Sequence, residues 1–339
     1  DAARTLTVSE GDYSGSMQDS TGKLALTKQG AAGTTLILRG ANSYTGATTI
    51  NGGTLELAAG AELASELITV AGGAVLAVNE GIYASTYVDG TGTIEKRAEA
   101  AVDYVDLAGL ADTFAGTIDV QGGNLRLGDT LEIKTGRTLK AGANGVYLNN
   151  ALTLSGGKLA LDYTTEADAE ITMLNLSDNA LTLLAGNTLS LSGLVLADTT
   201  TQANTIDLLT GVGSLLGSDG NALDLTGALA STYFSTIEGL GADIDTATLG
   251  LQLADGKLQL VIPSQTHYLV WDENKADNTW AAGTQFGDEA QDTFTTDADV
   301  KFGALTAESE TVTISGAVAA GKVLIDGGEG KTYIFAVDD

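Results

Sequence analysis

The sequence predicts an all-β chain wound as a solenoid of short parallel strands, and three observations carry that reading. Apolar and polar residues alternate over runs that are often only three or four residues long, as in Leu36-Ile37-Leu38, whereas spacing at i, i+3, i+4, i+7 is nearly missing. Glycine closes these runs repeatedly, at 44 of 339 residues. Aromatic residues make up 5%, so the core must be built from small and medium aliphatics, which suits stacked rungs better than the larger anchors of a sandwich. The alternative is an antiparallel β-sandwich, because Gly-Gly between two alternating runs is also the ordinary signal for a hairpin turn.

Taken in chain order, one small pattern recurs: strand, x-Gly-Gly or x-Asp-Gly, strand. Its copies are TTINGGTLEL (48–57), ITVAGGAVLAV (68–78), IDVQGGNLRL (118–127), LTLSGGKLAL (152–161), LQLADGKLQL (251–260) and VLIDGGEGKTYIF (323–335). In a solenoid each Gly step is a corner between two strands of one coil, with a coil of about 20 residues giving about 13 coils in the first 262 residues. Only residues 62–67 and 223–234 suggest short helices. Alternation points Leu36, Leu38, Ile50, Leu55 and Leu57 inward and Glu56 outward, where its loss is expected to be nearly neutral.

Composition shifts at the single proline. Residues 1–262 hold no tryptophan; beyond Pro263 come Trp271, Trp280, the only histidine and an acidic stretch. A proline cannot donate to a strand ladder and marks an edge or a junction. The expected division is a repeat segment over 1–262 and a Trp-bearing, β-rich module over 263–339.

Charge excludes several functions. The formal net charge of −28 opposes nucleic-acid backbones and anionic lipid surfaces. With no cysteine and one histidine there is no disulfide, thiol nucleophile or conventional zinc site. No apolar run approaches the roughly 18 residues of a membrane helix. There is no signal peptide and residue 1 is Asp, so the expectation is a mature or excised segment of a longer chain.

Chemistry is sparse. His267 is the only base that titrates near neutrality, and no Gly-x-Ser-x-Gly elbow or phosphate-binding loop occurs. Two acidic pairs, Asp243-x-Asp245 and Asp297-x-Asp299, would each project from one strand face, whereas glycoside hydrolysis needs two carboxylates facing each other across a cleft, and such spacing also occurs throughout acidic surfaces. Asp288, Glu289, Asp292, Asp297 and Asp299 gather hard oxygen ligands without any calcium-loop spacing. The expectation is no catalytic residue, no cofactor and at most adventitious calcium.

Residues 34–57, TTLILRGANSYTGATTINGGTLEL, bring Leu38, Gly40, Asn42, Tyr44, Gly46, Thr48, Ile50, Gly53 and Leu55 into one ordered pattern. That pattern resembles the passenger-associated repeat of bacterial autotransporters, and ADTFAGTIDVQGGNLRL (111–127) is similar to a decayed second copy without the Asn-x-Tyr. Residues 271–335 resemble the Trp-bearing lead before such repeats in long surface proteins. The resemblance implies a right-handed parallel β-helix, secreted and displayed outside the outer membrane, and implies no ligand. Gly40, Gly46, Gly52 and Gly53 are expected to supply positive φ at corners, with Asn42 and Asn51 as the next-best residues for that conformation. The resulting expectation is a non-enzymatic structural or adhesive segment at the bacterial cell surface, an elongated scaffold facing a receptor on a host or neighbouring cell. The alternative is a polysaccharide lyase or glycosidase built on the same fold.

Overall fold

The computed structural model describes residues 4–97, 104–142, 146–163, 174–194, 204–240, 244–263 and, with short gaps, 268–337. It is about 57% strand and forms a parallel β-solenoid of about 13 turns; no α-helix occurs among the described residues. The chain divides into two compact units, Asp1–Pro263 and Ser264–Asp339.

In the first unit each coil contributes one strand to each of two sheets. The first, fourteen-stranded sheet begins Arg4–Val8, Leu24–Lys28, Thr48–Ile50, Leu67–Val70, Gly81–Gly90, Tyr104–Leu110, Gly123–Leu127 and Val146–Leu148. The second has ten strands, from Gly11–Tyr13 through Thr35–Leu38, Thr54–Leu57, Val75–Val78 and onward to Phe234–Glu238. Period-2 alternation turns every second residue inward. Leu36, Leu55, Leu76, Ile94, Ile118, Leu139, Leu159 and Leu189 therefore stand in register, one per coil, and all are buried. Each buried aliphatic contributes on the order of 1.5–3 kcal/mol, and only because a neighbouring rung covers it. Among the described residues ten strands stack in the second sheet, and the later coils carry long excursions, as where Leu189 pairs with Ile237.

The first two Gly-Gly copies run from the first sheet to the second, for instance Thr48–Ile50 into Thr54–Leu57. The copy at 118–127 runs the other way, from Thr117–Val120 to Gly123–Leu127. LQLADGKLQL is different. Gly250–Ala254 and Lys257–Ile262 pair antiparallel, so this copy is a true hairpin and not a corner. The backbone gives the reason: Asp255 (φ 49°) and Gly256 (φ 69°) are both left-handed, as a type I′ turn demands, whereas at the Gly52-Gly53 corner only Gly53 (φ 65°) is. The hairpin lies antiparallel against Asn204–Leu216 and covers the edge of the first sheet.

Neither helix expectation holds. Residues 62–67 supply the strand Glu62–Leu63, and 223–234 contain only the 3₁₀ turn Ala230–Thr232. Glu56 points outward but is not solvated: it accepts hydrogen bonds from Arg97 Nη1 and from Asn79 Nδ2, the latter at 3.1 Å.

The second unit has two three-stranded parallel sheets, Tyr268–Val270/Asp299–Phe302/Val323–Ile325 and Thr279–Trp280/Ser309–Ile314/Thr332–Val337. Its core is aromatic. Trp271 meets Phe286 edge-on at 5.1 Å, and Trp280 meets Phe294 edge-on at 5.4 Å.

Candidate functional site

The repeat motif is the most structured polar feature of the first unit. Ile50 and Leu55 are fully buried, as alternation requires. The glycines do not act as expected. Only Gly53 has positive φ; Gly40, Gly46 and Gly52 do not. They are glycines because the preceding coil's backbone passes too close. A Cβ on Gly40 would lie 2.0 Å from the Gly15 carbonyl oxygen, on Gly46 2.2 Å from that of Leu24, and on Gly52 2.4 Å from that of Gly30. The expectation for Asn42 and Asn51 is corrected too, since neither has positive φ. Asn42 is buried, and its Nδ2 donates to the Gly40 carbonyl (2.8 Å) and to the Glu62 carbonyl one coil later (3.2 Å).

Tyr44 is the head of a buried hydroxyl chain. Ser65 Oγ donates to the Gly46 carbonyl (2.9 Å) and Thr48 Oγ1 donates to Ser65 Oγ (3.0 Å). Thr48 has thereby used its one proton, so the Tyr44 hydroxyl donates to Thr48 at 2.7 Å. Burial pushes the Tyr44 phenol up to about 12, with the Thr48 bond opposing. Sequence reasoning had Thr48 in the motif but missed Ser65 and Lys28. Lys28 is fully buried at the neighbouring corner, where Nζ donates to the carbonyls of Gln29 (2.9 Å) and Gly52 (2.9 Å) and to Thr34 Oγ1 (3.1 Å). Its inward parity with Leu26 was the available signal. The motif thus pins one coil to the next.

Of the acidic candidates, Asp243, Asp288, Glu289, Asp292 and the lone His267 lie outside the described residues. Asp245 is exposed and caps the 3₁₀ turn Thr246–Thr248, accepting from the Ala247 N–H at 3.0 Å. Asp297 (φ 68°) is exposed, and Asp299 opens a strand. Among the described residues no group of three or more His, Asp or Glu side chains is placed to hold a metal ion. Carboxylates do collect on the outer face of the second sheet, but with cations. Arg97 binds both Glu56 and Glu95, and Lys140 Nζ lies 2.9 Å from Asp119. Burial works against the Arg97 charge, yet Glu95 and Glu56 outweigh it and raise its pKa.

Coils that stack a buried aliphatic ladder, clamped by a glycine-spaced Asn-x-Tyr motif, define a parallel β-solenoid. Residues 26–57 match the family model of the passenger-associated-transport-repeat, and this repeat together with the β-solenoid fits an autotransporter passenger domain. Searches of curated proteins and of solved structures gave no match.

Proposed function

We propose that this chain is a non-enzymatic scaffold segment of a longer autotransporter-like protein, and that its stacked coils hold out or form a binding surface at the bacterial cell surface. The observation that carries this reading is the unbroken inward ladder from Leu36 to Leu189, which fills the stack with packed aliphatics. The ion pairs of Glu56, Glu95 and Asp119 support it, since carboxylates held by cations are poor general acids or bases. The repeat family implies a cell-surface or secreted location; association with the outer membrane and adhesion to another cell belong to the proposal.

The test is turnover. The purified chain, with and without calcium, is incubated with neutral and acidic polysaccharides, peptides and esters, and no product is expected. Saturable depolymerisation of a polysaccharide that disappears in Asp245→Asn would overturn the reading in favour of a glycan-active enzyme.

A further inference from the structure

We propose that the outer face of the first sheet binds an extended, uncharged, β-linked glycan, laid along the stacking direction over Tyr104, Asn124 and Tyr147. These residues hold one register position in three successive coils: Tyr104 pairs with Asn124, and Asn124 with Tyr147. The residue that follows each of them, Val105, Leu125 and Leu148, is buried. Alternation therefore turns Tyr104, Asn124 and Tyr147 outward, where each stays half-exposed. At about 4.8 Å per rung the two rings sit roughly 10 Å apart with an amide between them. That matches the length of one disaccharide in an extended β-linked chain.

The chemistry fits such a ligand. A pyranose ring offers an apolar C–H face to an aromatic ring and a rim of hydroxyls that act as both donors and acceptors, as an amide does. Asn149 Nδ2 donates to Asn124 Oδ1 at 3.1 Å and so fixes the orientation of the central amide. Two residues further along the same strands, Asp106 and Arg126 are paired at 3.2 Å, and Arg126 also reaches Asp129 at 2.7 Å. This adds planar donors and acceptors beside the aromatic row. Burial and the neighbouring Asp106 carboxylate raise the Tyr104 pKa, with Arg126 opposing, so the phenol is neutral at physiological pH.

Other occupants fit less well. A net charge of −28 repels acidic polysaccharides and phosphorylated ligands. A peptide cannot add to the sheet here, because Gly123–Leu127 is already paired on both sides, with Tyr104–Leu110 and with Val146–Leu148. The corresponding outer row of the second sheet, Thr35, Thr54, Val75, Thr93, Thr117 and Thr138, carries no ring on which a sugar could stack.

The proposal concerns binding and stands whether or not the chain is an enzyme. It is tested by titrating the whole chain with cellohexaose, with chitohexaose and, as the charged comparator, with hyaluronan hexasaccharide, followed by calorimetry. Saturable binding of a neutral hexasaccharide is expected, with no binding of the hyaluronan fragment. Tyr104→Val and Tyr147→Val, which suit a strand, should each weaken binding about tenfold. Tyr147→Phe should keep it, and Tyr87→Ala, at an exposed tyrosine off the row, should leave it unchanged. A measurement without variants accompanies these. Saturating hexasaccharide should shield Tyr104 and Tyr147 from nitration by tetranitromethane while Tyr87 reacts as before. No binding of either neutral glycan, equal binding of hyaluronan, undiminished affinity in folded valine variants, or unshielded nitration each overturns the proposal.

Discussion

Tyr44 places a phenol in an interior made mostly of aliphatics, and its single donated hydrogen bond to Thr48 is what makes that burial tolerable. Tyr83 does the same by donating to the Ala61 carbonyl at 3.1 Å. Burial raises both phenols from 10.0 to about 12, helped for Tyr83 by the Glu80 charge. Between these values the folded chain holds more protons than the unfolded one, so stability is intact below pH 10 and falls as pH climbs toward 12. Each tyrosine is expected to remove about 2–3 kcal/mol across that span. Lys28 acts with the opposite sign. Burial lowers its pKa, with Glu10 opposing, so stability rises with pH between the folded value and 10.5. Denaturant titrations across the alkaline range should show the tyrosine loss, with a shallower slope in Tyr44→Phe. A flat profile, or an unchanged slope in that variant, would contradict the linkage. None of this was legible from composition, because the hydroxyl chain joins Tyr44 and Thr48 to Ser65 a coil away.

At the scale of the strand and corner, the sequence was more informative about position than about cause. Alternation identified Leu36, Ile50 and Leu55 as inward without error, because period 2 is a property of the strand itself. The motif glycines were visible as positions, yet their reason was not local: a carbonyl from the preceding coil occupies the space a Cβ would need. Asp255-Gly256 looked like one more corner, and only the paired left-handed angles make it a hairpin. The aromatic row of Tyr104 and Tyr147 could not be seen at all, since its members come together only once coil lengths fix the register. A direct consequence is that Gly46→Ala should cost on the order of 3 kcal/mol through forced backbone movement. Gly142→Ala should be close to neutral, because φ there is not positive and nothing lies within 4 Å of the added carbon. Equal midpoints for the two variants in urea would show that the coils can separate to accept a methyl group.

For the whole molecule the decisive fact is that the two units have chemically different cores. The first is mainly a ladder of leucine, isoleucine and valine, with Tyr44, Tyr83, Phe114, Tyr163 and Phe234 as its few rings. The second gathers Trp271, Trp280, Phe286, Phe294 and Phe302 around a few aliphatics. The stability of a stacked repeat grows with the number of interfaces between rungs. The first unit joins ten strands in its second sheet, whereas each sheet of the second unit joins three. The second unit should therefore unfold first. Both tryptophans belong to it, so indole fluorescence reports on that unit alone, while far-ultraviolet circular dichroism is dominated by the strands of the first. In a denaturant titration of the intact chain the fluorescence change should be complete before most of the dichroism is lost. Transitions that differ between probes mean that the chain does not unfold as one cooperative step. Superimposable curves would instead mean that the aromatic core and the aliphatic ladder melt together, and the separation of the cores would then have no energetic consequence.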